Sequence, residues 1–361
     1  PVSELPILID HLNRSEIAVL ASGDSLFFGI GSLLLQNFGR ERLRFHPNIS
    51  SIQRSMHLIG LSWQDAEIVS LHGRPLSSLR RYLAPNTLLG IFTDQTNHPV
   101  IIAGELVSHG LDDATVWIAE ALGTEQQKLS QFSANELCVS EKTFNPLNVV
   151  VVQTAAARPS LPVFPGIPDH LFSTGAKPGF GMISKREVRL AILSLMQPSP
   201  GQVAWDIGAG CGSVSVEWAR WNPRGTIYAV ESDVDRVQHI LENCERFGVE
   251  QNCRVVEGIA PEQCEDLPSP HCIFIGGSNG NLEQLLAVCW SRLLAEGSLV
   301  ASAVTEDSRA ILNLFAEQQR AATHTVEWIE IAVEKNLPQS DERRSLLPVQ
   351  LISCTKTPVD P

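Results

Sequence analysis

At 361 residues the chain exceeds what one ordinary core organises, so two domains are expected. Hydrophobic residues make up 43% and charged residues 19%, the balance of a compact globular protein rather than a disordered or fibrous one. The formal net charge of -13 disfavours a field-driven grip on nucleic acid or on an anionic membrane, although a local basic pocket is compatible with it.

The first twenty residues mix Glu4, Asp10, His11, Arg14 and Glu16 with apolar positions, and no run of eighteen apolar residues occurs anywhere. A signal peptide or membrane span is therefore not expected, and the reading is a cytoplasmic protein. Short apolar runs at 17–20, 87–92, 114–118 and 147–152 read as strands separated by helix-length stretches. Residues 153–170 then carry four prolines and little charge, which marks an interdomain connection. The expected organisation is a first domain over 1–154, a linker over 155–168 and a second domain over 169–361.

Beyond the linker the alternation sharpens, with strands expected at 202–205, 226–230, 253–256, 272–275 and 298–303. Leu282, Leu285, Leu286, Cys289, Leu293 and Leu294 recur at helical spacing, with Gly297 as a stop. Alternating strands and helices imply parallel sheets covered on both faces, with ligands at the carboxyl ends of the strands. The eight cysteines fall at irregular spacings without a Cys-x-x-Cys, so reduced structural thiols are expected and no metal site.

The strongest local signal is Asp206-Ile207-Gly208-Ala209-Gly210-Cys211-Gly212-Ser213, between a strand and a helix. Glycines there let the backbone turn sharply and approach a ligand, with helix N-terminal amides facing it. The next strand ends in Glu231, placed to accept hydrogen bonds from ribose hydroxyls. A ligand-free turn and an NAD-dependent dehydrogenase are the competing readings. The spacing acid-x-Gly-x-Gly-x-Gly, without Gly-x-Gly-x-x-Gly, argues against the dehydrogenase and resembles the first motif of class I S-adenosylmethionine-dependent methyltransferases.

Further segments match in order: 183–189, Ala229-Val230-Glu231-Ser232-Asp233, Val256-Glu257-Gly258, Ala260-Pro261 and Ile275-Gly276-Gly277-Ser278. They resemble the decarboxylating, carbon-15 methylating domain of cobalamin biosynthesis. In the first half, residues 21–31 (from Ala21-Ser22-Gly23-Asp24 to Gly31), 47–51, 63–66 and 70–75 resemble the carbon-5 methylating domain, a class III tetrapyrrole methylase. The whole chain thus resembles the precorrin-6Y methyltransferase family. The resemblance implies an α/β fold: an N-terminal class III tetrapyrrole-methylase domain, shortened at its N-terminus so that its cofactor binding is left open, and a C-terminal Rossmann-like class I domain. It departs from the family at Ile259, where an aspartate is usual, and at 336–348, which carries Asp341, Glu342, Arg343 and Arg344 in place of a glycine-rich stretch.

The resemblance implies methylation of a precorrin at carbons 5 and 15 with loss of an acetate carboxyl, using S-adenosylmethionine. Asp206, Gly208, Gly210, Gly212, Glu231, Gly258, Ile259 and Ala260 would hold the cofactor in the second half, and Gly23, Asp24 and Thr93, with Asp94 and 146–148, in the first. A polycarboxylate substrate on an acidic protein needs local cations. Lys185, Arg186 and Arg189, with Lys177, Arg343 and Arg344 nearby, are candidates in the second half, and His72 and Arg74 in the first. Methyl transfer from a sulfonium to an electron-rich carbon needs positioning more than covalent help, so no catalytic side chain is expected. Rival readings are a methyltransferase for another small molecule or a protein, and a pair in which the first half only scaffolds the second. A homo-oligomer is expected by analogy with related domains.

Overall fold

The computed structural model describes residues 4–11, 16–155, 161–162, 164–177, 179–336 and 343–357. Asp341, Glu342 and the linker positions 156–160 and 163 lie outside them. The chain divides into two units, Pro1–Leu161 and Pro162–Pro361. No helix among the described residues is long and apolar enough to cross a membrane.

In the first unit, strands β1 (Glu67–Ser70), β2 (Leu88–Phe92), β3 (Thr115–Glu120), β4 (Lys128–Ser133) and β5 (Asn148–Gln153) form one sheet in the order β1-β2-β5-β3-β4. One face buries Leu89, Ile91, Val150 and Val152 with Ile102 and Leu106 of the helix Pro99–Ser108. The other buries Val149 and Val151 with Ile52 and Met56 of the helix Ser51–Ile59, whose start is fixed by a Ser50–Gln53 capping box.

Two expectations fail here. Only β1 and β2 run parallel; β2–β5, β5–β3 and β3–β4 are antiparallel. Parallel neighbours require a long crossover, whereas β3 and β4 are joined by a connection short enough only for a hairpin. Residues 17–20 form no strand: among the described residues nothing pairs with them, and Leu20 is almost fully exposed. An apolar run becomes a strand only where a neighbour completes its ladder.

The second unit holds β6 (Val203–Ile207), β7 (Thr226–Glu231), β8 (Cys253–Glu257), β9 (Cys272–Ile275), β10 (Ser298–Ala303), β11 (Thr325–Ile331), a small hairpin β12 (Glu334–Asn336) and β13 (Arg343–Ser345), and β14 (Val349–Thr355). The main sheet runs β11-β14-β10-β9-β6-β7-β8, with β10 to β8 parallel and β14 antiparallel to both its neighbours. The central strands are apolar along nearly their whole length because helices cover both faces. From β6 the chain proceeds outward to β7 and β8, then returns to lay β9 on the other side of β6. The β6/β9 exits are therefore the point where strand order reverses, and a crevice opens there.

Arg189, expected on the substrate side, is instead a buried clamp. It is fully inaccessible on the helix Arg186–Met196, its Nε donates to Glu217 Oε1 at 2.9 Å and its Nη1 to Asp169 Oδ1 at 2.8 Å. Further donors go to the Ser184 and Ile167 carbonyls, and the guanidinium lies over the Phe172 ring. Glu217, also inaccessible, accepts from the Gly166 and Ile167 amides. The cation thus fastens 166–172 to two helices and has no fork left for a ligand. Arg189→Ala strands the Glu217 carboxylate and is expected to lower the unfolding free energy by about 3–5 kcal/mol in urea titration; a loss within 1 kcal/mol of zero, about the size of an exposed pair, would contradict the clamp.

Candidate functional site

The crevice at the β6/β9 exits holds a cavity of about 680 Å³. Its floor is the turn after β6. Gly208 and Ala209 donate to the Val230 carbonyl at 2.9 and 3.1 Å, which ties the turn to the end of β7. Gly276 and Gly277, after β9, donate to the Ile207 carbonyl at 2.9 and 3.3 Å. The two exits come so close that a Cβ on Gly208 would lie 2.6 Å from the Gly277 carbonyl oxygen and 2.7 Å from its Cα. Gly208 also has φ of +69°, so glycine is required there on both counts.

Asp206 is the penultimate residue of β6 and is wholly inaccessible. Its Oδ2 accepts from the Ser215 hydroxyl, while Oδ1 is buried without a hydrogen-bond partner, and the residue lines the cavity. Burial pushes its carboxyl up to about 7; hydrogen bonds from Ser215 oppose this and nearby Glu231 adds to it. Glu231 is also buried on the cavity wall: Oε2 accepts from Gly210 N at 2.8 Å, and Oε1 from the amides of Ser232 and Asp233, each at 3.0 Å.

Of the expected cofactor residues, Asp206, Gly208, Gly210, Glu231, Gly258, Ile259 and Ala260 share this one cavity. Gly212 stands apart from the lining; it caps the helix Ser213–Trp221 with φ of +76° and packs against Ile240. Ile259 is 61% exposed and presents an aliphatic surface to the cavity. Lys185 lines the cavity, with Nζ donating to the Gly179 carbonyl at 2.8 Å. Arg186 is outside the lining, half-exposed beside Glu187. Cys211, within the turn, is buried and its thiol is pushed up to about 11, so it is a neutral packing group rather than a nucleophile.

Two residues of this site had no sequence signal. Ser215 satisfies one oxygen of Asp206, and buried Asn243 donates to the carbonyls of Cys211 and Ser173, pinning the glycine turn from the helix Val234–Phe247. Both are ordinary helix residues until the fold brings them to the turn.

In the first unit, Thr93 follows β2 and donates to the Asn148 carbonyl and side chain at 2.8 and 2.9 Å. Asp94 accepts from the amides of Gly73, Thr96 and Asn97, which hold its carboxyl below the usual range. Asn97 in turn donates to the Leu71 and Arg74 carbonyls, so the 71–75 loop is stitched to the β2 exit, with His72 and Arg74 exposed beside it. Gly23 sits against Ser50, and Asp24 accepts from Leu26 N at 2.8 Å. Phe27 packs edge-on and Phe28 at a tilt against Phe92 at the end of β2. Gly23, Asp24 and Thr93 therefore gather around the strand exits of this unit.

A sheet whose order reverses at a glycine turn, with an acid before the turn and another at the next strand end, defines an α/β methyltransferase fold in the second unit. A family model described as "Precorrin methyltransferase domain" matches residues 179–356, and one described as "Tetrapyrrole (Corrin/Porphyrin) Methylases" matches 5–138. A precorrin-6Y C(5,15)-methyltransferase [decarboxylating] of Sinorhizobium sp is 36% identical over 314 residues, covering 86% of this chain and 74% of that protein. One of the same name from Mycobacterium tuberculosis (strain CDC 1551 / Oshkosh) is 32% identical over 303 residues, covering 82% and 73%. A solved precorrin-6y C5,15-methyltransferase structure from Geobacter metallireducens covers 54% of this chain and 99% of its own, at 37% identity and TM-score 0.49. The chain belongs to the precorrin-6Y C(5,15)-methyltransferase (decarboxylating) family, which sets the dehydrogenase reading aside.

The Asp206 carboxyl ionises above pH about 4 in an unfolded chain and only near 7 in the folded one. The native state holds the extra proton across that window, so this group's contribution to stability falls as pH rises from about 4 to 7 and stays low above it. Asp206→Asn keeps an acceptor for Ser215 and removes the penalty. Its unfolding free energy is expected to match the unaltered protein near pH 4 and to exceed it by up to about 4 kcal/mol at pH 8; a gap independent of pH would contradict the raised carboxyl.

Proposed function

We propose that the second unit binds S-adenosylmethionine at the Asp206–Gly212 turn and methylates carbon 15 of a precorrin with loss of an acetate carboxyl, and that the first unit methylates carbon 5. The observation that carries this reading is the buried, unpartnered Oδ1 of Asp206 on the wall of a cavity built at the sheet's reversal point. A buried lone acceptor is costly unless something meets it, and a cationic amino group is the partner it favours most.

The other residues fit the same cofactor. Glu231 accepts from three amides, and a carboxylate has roughly four lone-pair sites, so capacity remains for a ribose hydroxyl. Gly208 lets the two strand exits close into a floor, Gly210 holds the turn at positive φ, and Ile259 offers an apolar surface to a purine. Bound there, S-adenosylmethionine supplies an activated methyl group. The chain's own contribution is to hold the sulfonium in line with one carbon and keep water from it, a positioning role. Lys185 is the cavity cation we assign to a substrate carboxylate; Arg189 takes no part.

In the first unit, Gly23, Asp24 and Thr93 at the strand exits are the corresponding cofactor candidates, with His72 and Arg74 toward substrate. A metal-free precorrin is favoured over a cobalt-bearing one. The two relatives above, named for precorrin-6Y, match across most of this chain, whereas a probable cobalt-precorrin-6B C(15)-methyltransferase of Pyrobaculum calidifontis covers 40% of it.

Calorimetric titration with S-adenosylhomocysteine tests the reading. Saturable binding is expected, and Gly210→Arg should abolish it in the second unit, since a Cβ there already lies 3.2 Å from the Met182 carbonyl oxygen at φ of +61°. A second, Gly210-independent site would locate cofactor in the first unit; no binding to the unaltered chain would overturn the assignment.

A further inference from the structure

The cofactor reading accounts for one end of the cavity only. The other end is lined by aliphatic side chains that no motif singles out: Val304, Ile331, Val333, Leu346, Leu347 and Val349. Strand register explains their arrangement. Ala303 on β10 pairs with Gln350 on β14, which sets Val304 beside Val349, and Val349 pairs directly with Ile331 on β11. Three neighbouring strands thus end in a row of aliphatic residues, and directly paired residues share a face.

Beyond that row the ladder slips. Ile331 pairs with Val349, but Glu334 pairs with Ser345, so residues 332 and 333 stand opposite 346, 347 and 348. The returning side carries one extra residue, which is the arrangement of a β-bulge, and the Leu346 amide bonds the Val333 carbonyl at 2.9 Å beside it. Alternation would send adjacent side chains to opposite faces; the extra residue lets Leu346 and Leu347 both line the cavity. Bulges commonly re-aim side chains next to active sites. The ionisable residues of the described lining, Lys185, Asp206, Glu231 and Arg236, are not among this aliphatic set.

Leu347 is 75% and Val304 44% exposed, so the row leaves apolar surface uncovered. Apolar surface of this kind, gathered inside a cavity, marks where a ligand covers it. The row is a strand-end shelf of aliphatic side chains across three neighbouring strands, and its complement is the apolar body of a ring system rather than a polar nucleoside. The geometry points to this shelf as the surface on which the substrate's macrocycle lies, with Leu347 setting its position opposite the cofactor turn. The carboxylate arms of a tetrapyrrole then project past the rim, away from the aliphatic surface. This inference rests on the methyltransferase reading above.

The test uses the full chain and two probes, S-adenosylhomocysteine by calorimetry and uroporphyrin, a soluble octacarboxylate tetrapyrrole, by fluorescence titration. Leu347→Gln and Val304→Thr are exposed changes, and their thermal midpoints are compared with that of the unaltered protein to confirm folding. Each is expected to weaken uroporphyrin binding, Leu347→Gln by about tenfold, equivalent to roughly 1.4 kcal/mol, while S-adenosylhomocysteine binds within about twofold. Unchanged uroporphyrin affinity, or an equal loss for both probes, overturns the shelf, as does failure of the unaltered chain to bind uroporphyrin. Failure of the cofactor reading is separable: the unaltered chain would then bind uroporphyrin in a Leu347-dependent way without binding S-adenosylhomocysteine.

Discussion

The second unit depends on one close approach, the backbone of Gly208 against that of Gly277 at the exits of β6 and β9. Because strand order reverses there, the two turns leave the sheet side by side with helices diverging to opposite faces, and a crevice is unavoidable. What it can hold is set by how tightly its floor closes. With no Cβ on either glycine, the Ile207 carbonyl takes both amides of the β9 exit, and the Val230 carbonyl takes both amides of the β6 exit. The floor is thereby made of satisfied backbone, and the side chains around it are free to face the cavity.

Those side chains divide by character. At the turn stand two buried carboxylates, one of them raised to about 7 by desolvation and by its neighbour's charge. At the far side stands an aliphatic row with little polarity of its own. A cavity with a polar, glycine-floored end and an aliphatic end suits a reaction between a charged donor and an apolar ring carbon, in which alignment supplies most of the rate. Neither end offers an activated nucleophile: the one thiol in the turn is buried and neutral.

The Arg189 network shows how charge can mislead when read without a fold. Four cations sit close together before the glycine turn, and a polycarboxylate substrate gives each a plausible role. The fold assigns them differently. Arg189 is drawn inward to satisfy Glu217 and a string of carbonyls; Lys335, from β12, meets Glu187 at 2.7 Å and Asp169 at 3.7 Å. Asp169 serves both Arg189 and the amide of Arg186. The segment before the first helix of this unit is thus held in place by ion pairs, which is what lets 181–185 form one wall of the cavity.

Much of the second unit was legible in the sequence because its signals are local. The strands of a sheet covered on both faces are near-continuous apolar runs, and the run at 298–303 matches β10 residue for residue. The glycine turn and its two acids are legible because positive φ and close backbone approach admit few other residues. The first unit was less legible: the run at 17–20 has the composition of a strand, but a strand exists only with a partner, and whether β3 and β5 run parallel or antiparallel is decided by non-local pairing. Tertiary structure alone decided that Arg189 is a clamp, that Ser215 and Asn243 belong to the turn, and that a one-residue slip beside β14 turns two consecutive leucines into the cavity. Each of these depends on contacts between segments distant in the chain, and no local pattern of residue types encodes them.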